Sequence, residues 1–420
     1  MAETKANGTP MTHDAPSKPD PDYHPGGSVR YNRASQILRV ITFNVWFFCC
    51  VIVILITQFI GAPLYYLNRK LYYDWMSRTK QSFGVVITTI TQWWSPTIIR
   101  VTGDRSVRDQ IRQAADGSLE CHFPERMILI ANHQLYSDWL YLWWIAYTAR
   151  LHGYFYIILK ESLKYIPFIG VGMQFYGFIF MARKWEQDKS RMEHRLSKLN
   201  AEKEDPMWLL IFPEGTNASS NGRVNSAKYS KKLGIKDLQH QLWPRATGLR
   251  FCIEQLKGSV EYLYDCTVHY EGVRRGEFGQ DYFTLYSTFF QGRPPKSVNM
   301  HWRRFAMKDI PIEDPAEFEA WLRQRWIEKD ELLDYYTDNG CFPEDDSAKE
   351  ESNGEVTGLH QRGVLKGTKA TGGDNWKGPV VTEVRISRWT DVAGIFIVIA
   401  TVALLANVWY KMVLLTKLFF

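Results

Sequence analysis

Hydrophobic and polar positions divide the 420-residue chain into unlike stretches. Residues 1–35 are polar, carry Pro10, Pro16, Pro19, Pro21 and Pro25, and lack the basic start and apolar core of a cleavable signal, so they are predicted to form a flexible tail. Val40–Asn68 then runs 29 residues without a charge, between Arg39 and Arg69-Lys70. Roughly 20 apolar residues let a helix cross a bilayer, and Trp46, Tyr65 and Tyr66 are side chains that suit its interfaces. The run is predicted to be a transmembrane anchor, with a buried core helix as the competing reading. Basic residues at both ends leave its orientation open. Val85–Ile99, with Trp93-Trp94 and Pro96, is short for a span and is predicted to be an interfacial or re-entrant helix packing beside the anchor. Val392–Tyr410, 19 uncharged residues between Asp391 and Lys411, reads as a second spanning helix. Between Pro343 and Gly378 the chain turns to Glu, Ser, Gly, Lys and Thr, the composition of an unstructured linker.

Between about 120 and 340, short apolar runs alternate with helical patterns. Met127–Ala131, Trp208–Phe212, Tyr262–Tyr270 and Val298–Phe305 are the predicted strands. Asp138–Arg150, Trp185–Glu202, Thr247–Lys257 and Pro315–Tyr336 are the predicted helices, an order that predicts an α/β domain around a central sheet. A third uncharged run, Tyr165–Ala182, has the length of a span but is broken by Pro167, Gly170, Gly172 and Gly177.

Composition changes the picture in two places. Aromatic residues reach 15%, with 16 Trp and 22 Tyr, which fits a chain that meets a membrane surface. The net charge of +6 comes without a basic block of the kind a nucleic-acid groove needs, so no nucleic-acid partner is predicted. Cysteines at 49, 50, 121, 252, 266 and 341 form no Cys-x-x-Cys pair, so neither a disulfide framework nor a metal site is predicted.

The candidate chemistry lies just past two predicted strands. Asn132-His133-Gln134-Leu135-Tyr136-Ser137-Asp138 follows the first and Phe212-Pro213-Glu214-Gly215-Thr216 the second, and groups past strand ends of an α/β sheet share one crevice. A His followed five residues later by an Asp that opens a helix can have one imidazole nitrogen held by the carboxylate, leaving the other to take a proton as a general base. Asp138 fits equally as a helix N-cap with His133 an ordinary loop residue. Phe-Pro-Glu occurs at 123–125, 212–214 and 342–344, and only the middle copy ends an apolar strand and continues into Gly-Thr, where a tight turn can expose amides to an anion.

These residues carry a family resemblance. Asn132-His133-x4-Asp138 and Phe212-Pro213-Glu214-Gly215-Thr216 resemble the first and third motifs of the glycerolipid acyltransferases of the lysophosphatidic acid acyltransferase superfamily. Gly177-Phe178-Ile179-Phe180-Met181-Ala182-Arg183 resembles the second, and Leu242-Trp243-Pro244-Arg245-Ala246-Thr247-Gly248 the fourth. The context Gln134–Trp139, with Tyr141-Leu142-Trp143-Trp144, resembles the fungal branch allied to lysophosphatidylinositol and lysocardiolipin acyltransferases. The second motif departs in its Met181-Ala182, which divides the phosphate-ligand role between Arg183 and Lys184.

The resemblance implies a central mixed sheet flanked by helices, an N-terminal membrane helix or helices and a C-terminal transmembrane helix. It implies a tail over 1–35, anchoring helices over 36–105, an acyltransferase domain over 106–342, a disordered linker over 343–385 and a transmembrane helix over 386–420. It further implies that His133, held by Asp138, deprotonates a glycerol hydroxyl of a lysophospholipid, which attacks the thioester of acyl-CoA without a covalent acyl-enzyme. Arg183, Glu214, Gly215, Thr216 and Arg245 are the implied substrate-binding residues. Acyl-CoA is a co-substrate, and neither cofactor nor metal is expected. Lysophosphatidic acid, lysophosphatidylinositol and lysocardiolipin all remain open as acceptors, as does a catalytically idle membrane-binding relative. A serine esterase is disfavoured, since no Gly-x-Ser-x-Gly elbow is present, while a lipid or thioester hydrolase stays open. Tyr165–Ala182 is not expected to span, because a crossing there would put His133 and Glu214 on opposite sides of the bilayer. It is expected instead to line an acyl tunnel or dip into one leaflet, or to be a buried strand and turn. Asn217-Ala218-Ser219 is a glycosylation sequon, and acyl-CoA is cytosolic, so the domain is expected on the cytosolic face of the endoplasmic reticulum.

Overall fold

Apolar runs without alternation need cover on both faces, and here they become the middle of a sheet. The computed structural model describes residues 22–343 and 379–419. Its N-terminal part comprises helices α1 (Arg33–Gly61), α2 (Leu64–Leu67) and α3 (Arg69–Trp94). Next come strands β1 (Ile98–Gly103), β2 (Ile111–Gln113), β3 (Leu119–Cys121) and β4 (Arg126–Ala131), then α4 (Asp138–Thr148), β5 (Phe155–Lys160), α5 (Ile169–Phe175) and β6 (Ile179–Met181). These are followed by α6 (Trp185–Ala201), β7 (Met207–Ile211), α7 (Ser220–Leu233), α8 (Ala246–Gln255), β8 (Tyr262–Tyr270), α9 (Gly279–Tyr282) and α10 (Leu285–Phe289). The last described elements are β9 (Ser297–Ala306), α11 (Pro315–Asn339), β10 (Val380–Glu383) and α12 (Trp389–Phe419).

Eight strands form one mixed sheet in the order β10-β1-β9-β8-β4-β7-β5-β6, and β2 and β3 form a separate ribbon. The four strands β8, β4, β7 and β5 are parallel neighbours, while β8 and β9 pair antiparallel. The period of two divides β4 between two cores. Met127, Leu129 and Ala131 pack with α3 and α4, while Ile128 and Ile130 join the layer of α6, α8 and α11. On that second side, α11 is tied to the sheet by charged groups, of which Asp265 and Lys329 are fully buried. Arg303 Nε donates to Asp265 Oδ2 at 2.9 Å and Arg303 Nη1 to Glu328 Oε2 at 2.6 Å. Lys329 Nζ bonds Asp265 Oδ1 and donates to Cys266 O at 2.8 Å. Burial works to raise the Asp265 carboxyl, but Lys329 and Arg303 outweigh it and hold it below the usual range.

The four predicted strands and four predicted helices all form, with ends shifted by at most three residues. Elsewhere the fold departs from expectation. From Asp22 on, the supposed tail is pinned: Tyr23 Oη donates to Gly272 O at 2.6 Å and His24 Nε2 to Tyr282 O at 2.9 Å. Residues 1–21 lie outside the described residues, as does 344–378 of the expected linker, whose later part forms β10 against β1. Val85–Trp94 is the second half of a 26-residue helix buried beneath α1, not a separate interfacial segment. Its polar positions tolerate burial because the Thr88, Thr89 and Thr91 hydroxyls donate back to the carbonyls of Gly84, Val86 and Ile87. Tyr165–Ala182 breaks at Pro167-Phe168 and splits into α5 and β6.

Among the described residues, two helices are long and apolar enough to cross a membrane, Arg33–Leu67, counted through the Gly61–Pro63 bend, and Trp389–Thr416. Ile37, Leu38, Ile41, Val45, Ile52 and Ile56 of α1 are exposed, as apolar side chains facing lipid would be.

Candidate active site

β4 and β7 pair in parallel, Ile130 opposite Ile211. Asn132-His133 and Phe212-Pro213-Glu214 therefore leave the same edge of the sheet side by side, where open α/β sheets form their crevice. Asn132 fixes the first loop to β8: its Nδ2 donates to Val268 O at 2.9 Å and its Oδ1 accepts from Val268 N at 2.8 Å. Ala218 N donates to His133 O at 2.7 Å, joining the second loop to the first.

Asp138 is the first residue of α4, yet it does not cap that helix. Its carboxylate turns back onto the loop. Oδ2 accepts from Gln134 N at 2.6 Å, from Leu135 N at 3.0 Å and from His133 Nδ1 at 2.9 Å, and Oδ1 accepts from Tyr270 Oη. With the side chain fully buried, this carboxylate has four donors in place of water. The imidazole consequently carries its hydrogen on Nδ1, and its ring stacks on Phe212 with centroids 4.1 Å apart. Nε2 is the nitrogen left with a lone pair and no partner among the described residues.

Glu214 is 3% exposed and works as a clasp. Oε1 accepts from His133 N at 3.1 Å and Oε2 from Leu242 N at 3.4 Å. Burial pushes its carboxyl up to about 8, against the downward pull of those two amides, so it is protonated at neutral pH. Gly215 supplies the turn with φ +72°, and its amide closes the loop onto Phe212 O at 3.0 Å. Arg245 N donates to Pro213 O at 2.8 Å, and its exposed side chain lies against Gly215, whose Cβ would stand 3.7 Å from Arg245 Cδ. Thr216 is half-buried next to them. Arg183 lies past the end of β6, three positions from β4 at the same edge, about 14 Å by strand spacing. It is exposed and has φ +63°, an uncommon conformation for a non-glycine residue. Buried Asp188 holds it there by accepting from Ala182 N at 2.7 Å and Lys184 N at 3.0 Å.

Among the predicted site residues, His133, Asp138 and Glu214 thus form one bonded unit, with Gly215, Thr216 and Arg245 adjoining it and Arg183 set apart. The sequon residue Asn217 is buried and bonded to Gln280, a contact a glycan would displace. The other Phe-Pro-Glu copies serve elsewhere: Pro124 O accepts from Trp208 Nε1, and Phe342 packs on Tyr336, while Glu344 is outside the described residues. Sequence reasoning missed Tyr270, the stacking of Phe212, and Asp188. Tyr270 is 132 positions from Asp138, with no local pattern to link them. Asp188 stands in the first turn of α6, a place from which a carboxylate can reach the preceding amides.

Known proteins match the same regions. Residues 99–270 fit the acyltransferase family model, and residues 288–358 fit the model of the acyltransferase C-terminus. An uncharacterized acyltransferase of Schizosaccharomyces pombe is 42% identical over 287 residues, 68% of this chain and 81% of the relative. The 2-acyl-1-lysophosphatidylinositol acyltransferase of Saccharomyces cerevisiae is 36% identical over 346 residues, 74% of this chain and 86% of that protein. A lysocardiolipin acyltransferase of Gallus gallus is 35% identical over 226 residues, 52% of this chain and 56% of the relative. With both motif loops at one sheet edge and these matches across them, the chain belongs to the glycerolipid acyltransferase superfamily.

Proposed function

We propose that this acyltransferase moves a fatty acyl chain from acyl-CoA to a free glycerol hydroxyl of an anionic lysophospholipid, lysophosphatidylinositol or lysophosphatidic acid. The observation that carries the reading is the imidazole of His133, fixed through Nδ1 by a buried carboxylate with Nε2 left to act. Nε2 takes the hydroxyl proton as the oxygen attacks the thioester carbonyl. Asp138 stabilises the imidazolium formed. The tetrahedral intermediate collapses, the carbon–sulfur bond breaks, and the CoA thiolate leaves with the proton returned from Nε2. Glu214 acts on this step by positioning the His133 backbone, and being protonated it does not repel an incoming phosphate. Arg183 and Arg245, both exposed at this edge, are charge-assisted partners for that anion.

The yeast relative that acts on a lysophosphatidylinositol aligns over the longer stretch, which places that acceptor first in a trial panel. In this reading α1 and α12 hold the chain in the endoplasmic reticulum membrane and the sheet faces the cytosol. The test is release of CoA thiol by purified protein given oleoyl-CoA and a panel of lysophospholipids. Turnover is expected with anionic acceptors and no release without one. No acceptor exceeding the His133→Ala background would refute the reading, and acceptor-independent release would replace it with a hydrolase. Orientation is read separately at Cys341, exposed at the end of the domain: an impermeant maleimide should label it in sealed microsomes.

A further inference from the structure

Lys80 on α3 is 2% exposed, and among the described residues its ammonium has no hydrogen-bonded or ion-paired partner. It meets only rings, 3.5 Å from the centre of Tyr156 and 5.8 Å from that of Phe178. Burial alone pushes its pKa well below the ordinary lysine value. An ammonium removed from water without a counter-ion costs much more than a ring face returns. Beside it opens a cavity of about 280 Å³, the size of a headgroup and too small for a whole lipid.

The walls of this cavity are mixed in a particular way. Lys80, Arg195 and Lys198 supply cations, Tyr72 and Tyr73 supply phenols, and Asp74, Glu202 and Asp205 supply carboxylates. A bare anion would meet those carboxylates as like charges, whereas a phosphate that also carries several hydroxyls satisfies both sets: the phosphate takes the cations, and the hydroxyls donate to the carboxylates. The cavity is separate from the motif crevice. Arg126 at the start of β4, Tyr156 at the second position of β5 and Pro206 before β7 border it, whereas His133 and Glu214 follow the ends of the parallel strands. Five residues of strand rise put the two edges about 17 Å apart. Tyr72 and Tyr73 stand in the first turns of α3, joined to the end of α1 through the short α2, and nearby Tyr66, Leu67 and Leu71 are exposed, so the mouth lies where a bilayer interface would meet the protein.

We infer that this cavity is a second binding site, for a polyhydroxylated phosphate such as the glycerophosphoinositol headgroup of an anionic phospholipid, with Lys80 as its buried counter-charge. The inference is independent of the proposed reaction, since it uses none of the motif residues. The test is calorimetric titration of the full-length protein in neutral detergent with glycerophosphoinositol, glycerophosphocholine and inorganic phosphate. Glycerophosphoinositol should bind wild type and His133→Ala alike, and roughly tenfold or more weakly to Lys80→Met, which keeps the aliphatic stem and removes the charge. Arg195→Gln/Lys198→Gln, at half-buried mouth positions, should also weaken it and decides the matter if Lys80→Met does not fold. Equal binding by inorganic phosphate would overturn the assignment to a polyhydroxylated phosphate. A rise in unfolding temperature in phosphatidylinositol nanodiscs over phosphatidylcholine ones, lost in Lys80→Met, would assign it to lipid. No binding to wild type, unchanged binding in the variants, or loss of binding in His133→Ala would overturn the inference.

Discussion

Replacing Asp138 by Asn removes one charge while changing little in shape, and the surrounding donors dictate how the amide must sit. Two backbone amides, from Gln134 and Leu135, converge on Oδ2 together with His133 Nδ1, whereas Tyr270 Oη alone faces Oδ1. Backbone N–H groups cannot turn away, so the Asn oxygen is expected at the Oδ2 position and its NH2 toward Tyr270, whose hydroxyl can rotate to accept. His133 would keep its hydrogen on Nδ1, and Nε2 would remain the base. What is lost is the charge opposite the imidazolium. A charge-assisted bond contributes about 1.5–3 kcal/mol and a neutral one about 1, so the expected deficit is about 0.5–2 kcal/mol. That corresponds to a fall in kcat/KM of roughly 2- to 30-fold. Inversion of the tautomer, as in a serine-protease triad, costs about 10⁴-fold. The assay is CoA thiol release at saturating oleoyl-CoA with varied lysophospholipid, for wild type, Asp138→Asn and His133→Ala. Activity of Asp138→Asn as low as that of His133→Ala would refute the claim that the amides fix the oxygen.

Glu214 gives a pH dependence of known sign. Its folded-state pKa of about 8 lies above the ordinary 4.5, so the folded chain holds a proton that the unfolded chain releases between those values. Its contribution to stability is therefore complete below about pH 4.5 and is lost as pH rises through about 8. Glu214→Gln should flatten the decline in Tm between pH 5 and 9, and an undiminished slope in the variant would count against a protonated Glu214. In the α11 network, Lys329→Met leaves buried Asp265 with Arg303 alone, and removing one partner of such a pair is expected to cost about 3–5 kcal/mol. Denaturant unfolding of Lys329→Met and of Asp265→Asn/Lys329→Met checks this: the double variant should be the less destabilised, and simple additivity would contradict the coupling.

Much of the architecture was written in local pattern. Uncharged runs marked α1 and α12, and the apolar strands β4 (beyond Arg126) and β7 were legible because burial on both faces admits no polar position. His133, Asp138 and Glu214 were legible because each follows or flanks such a strand, and the geometry of a parallel pair then brings them together. Short strands such as β6 and β10 were not, since three or four residues of edge strand carry no usable period. The second half of α3 was legible as a helix beside α1 but not as the buried end of a 26-residue helix, whose threonines tolerate burial because their hydroxyls bond the preceding turn.

By itself the sequence determined which residues stand at strand ends, which helices are apolar enough for a membrane, and the order of the four motifs. Tertiary structure alone decided what those residues do to one another. That Asp138 faces the loop and not its own helix, that Tyr270 supplies its fourth hydrogen bond, and that Glu214 is buried enough to stay protonated all depend on segments up to 132 positions apart. Hydrogen bonding and desolvation act over a few ångströms of space, and chain position constrains that distance only within a helix or strand.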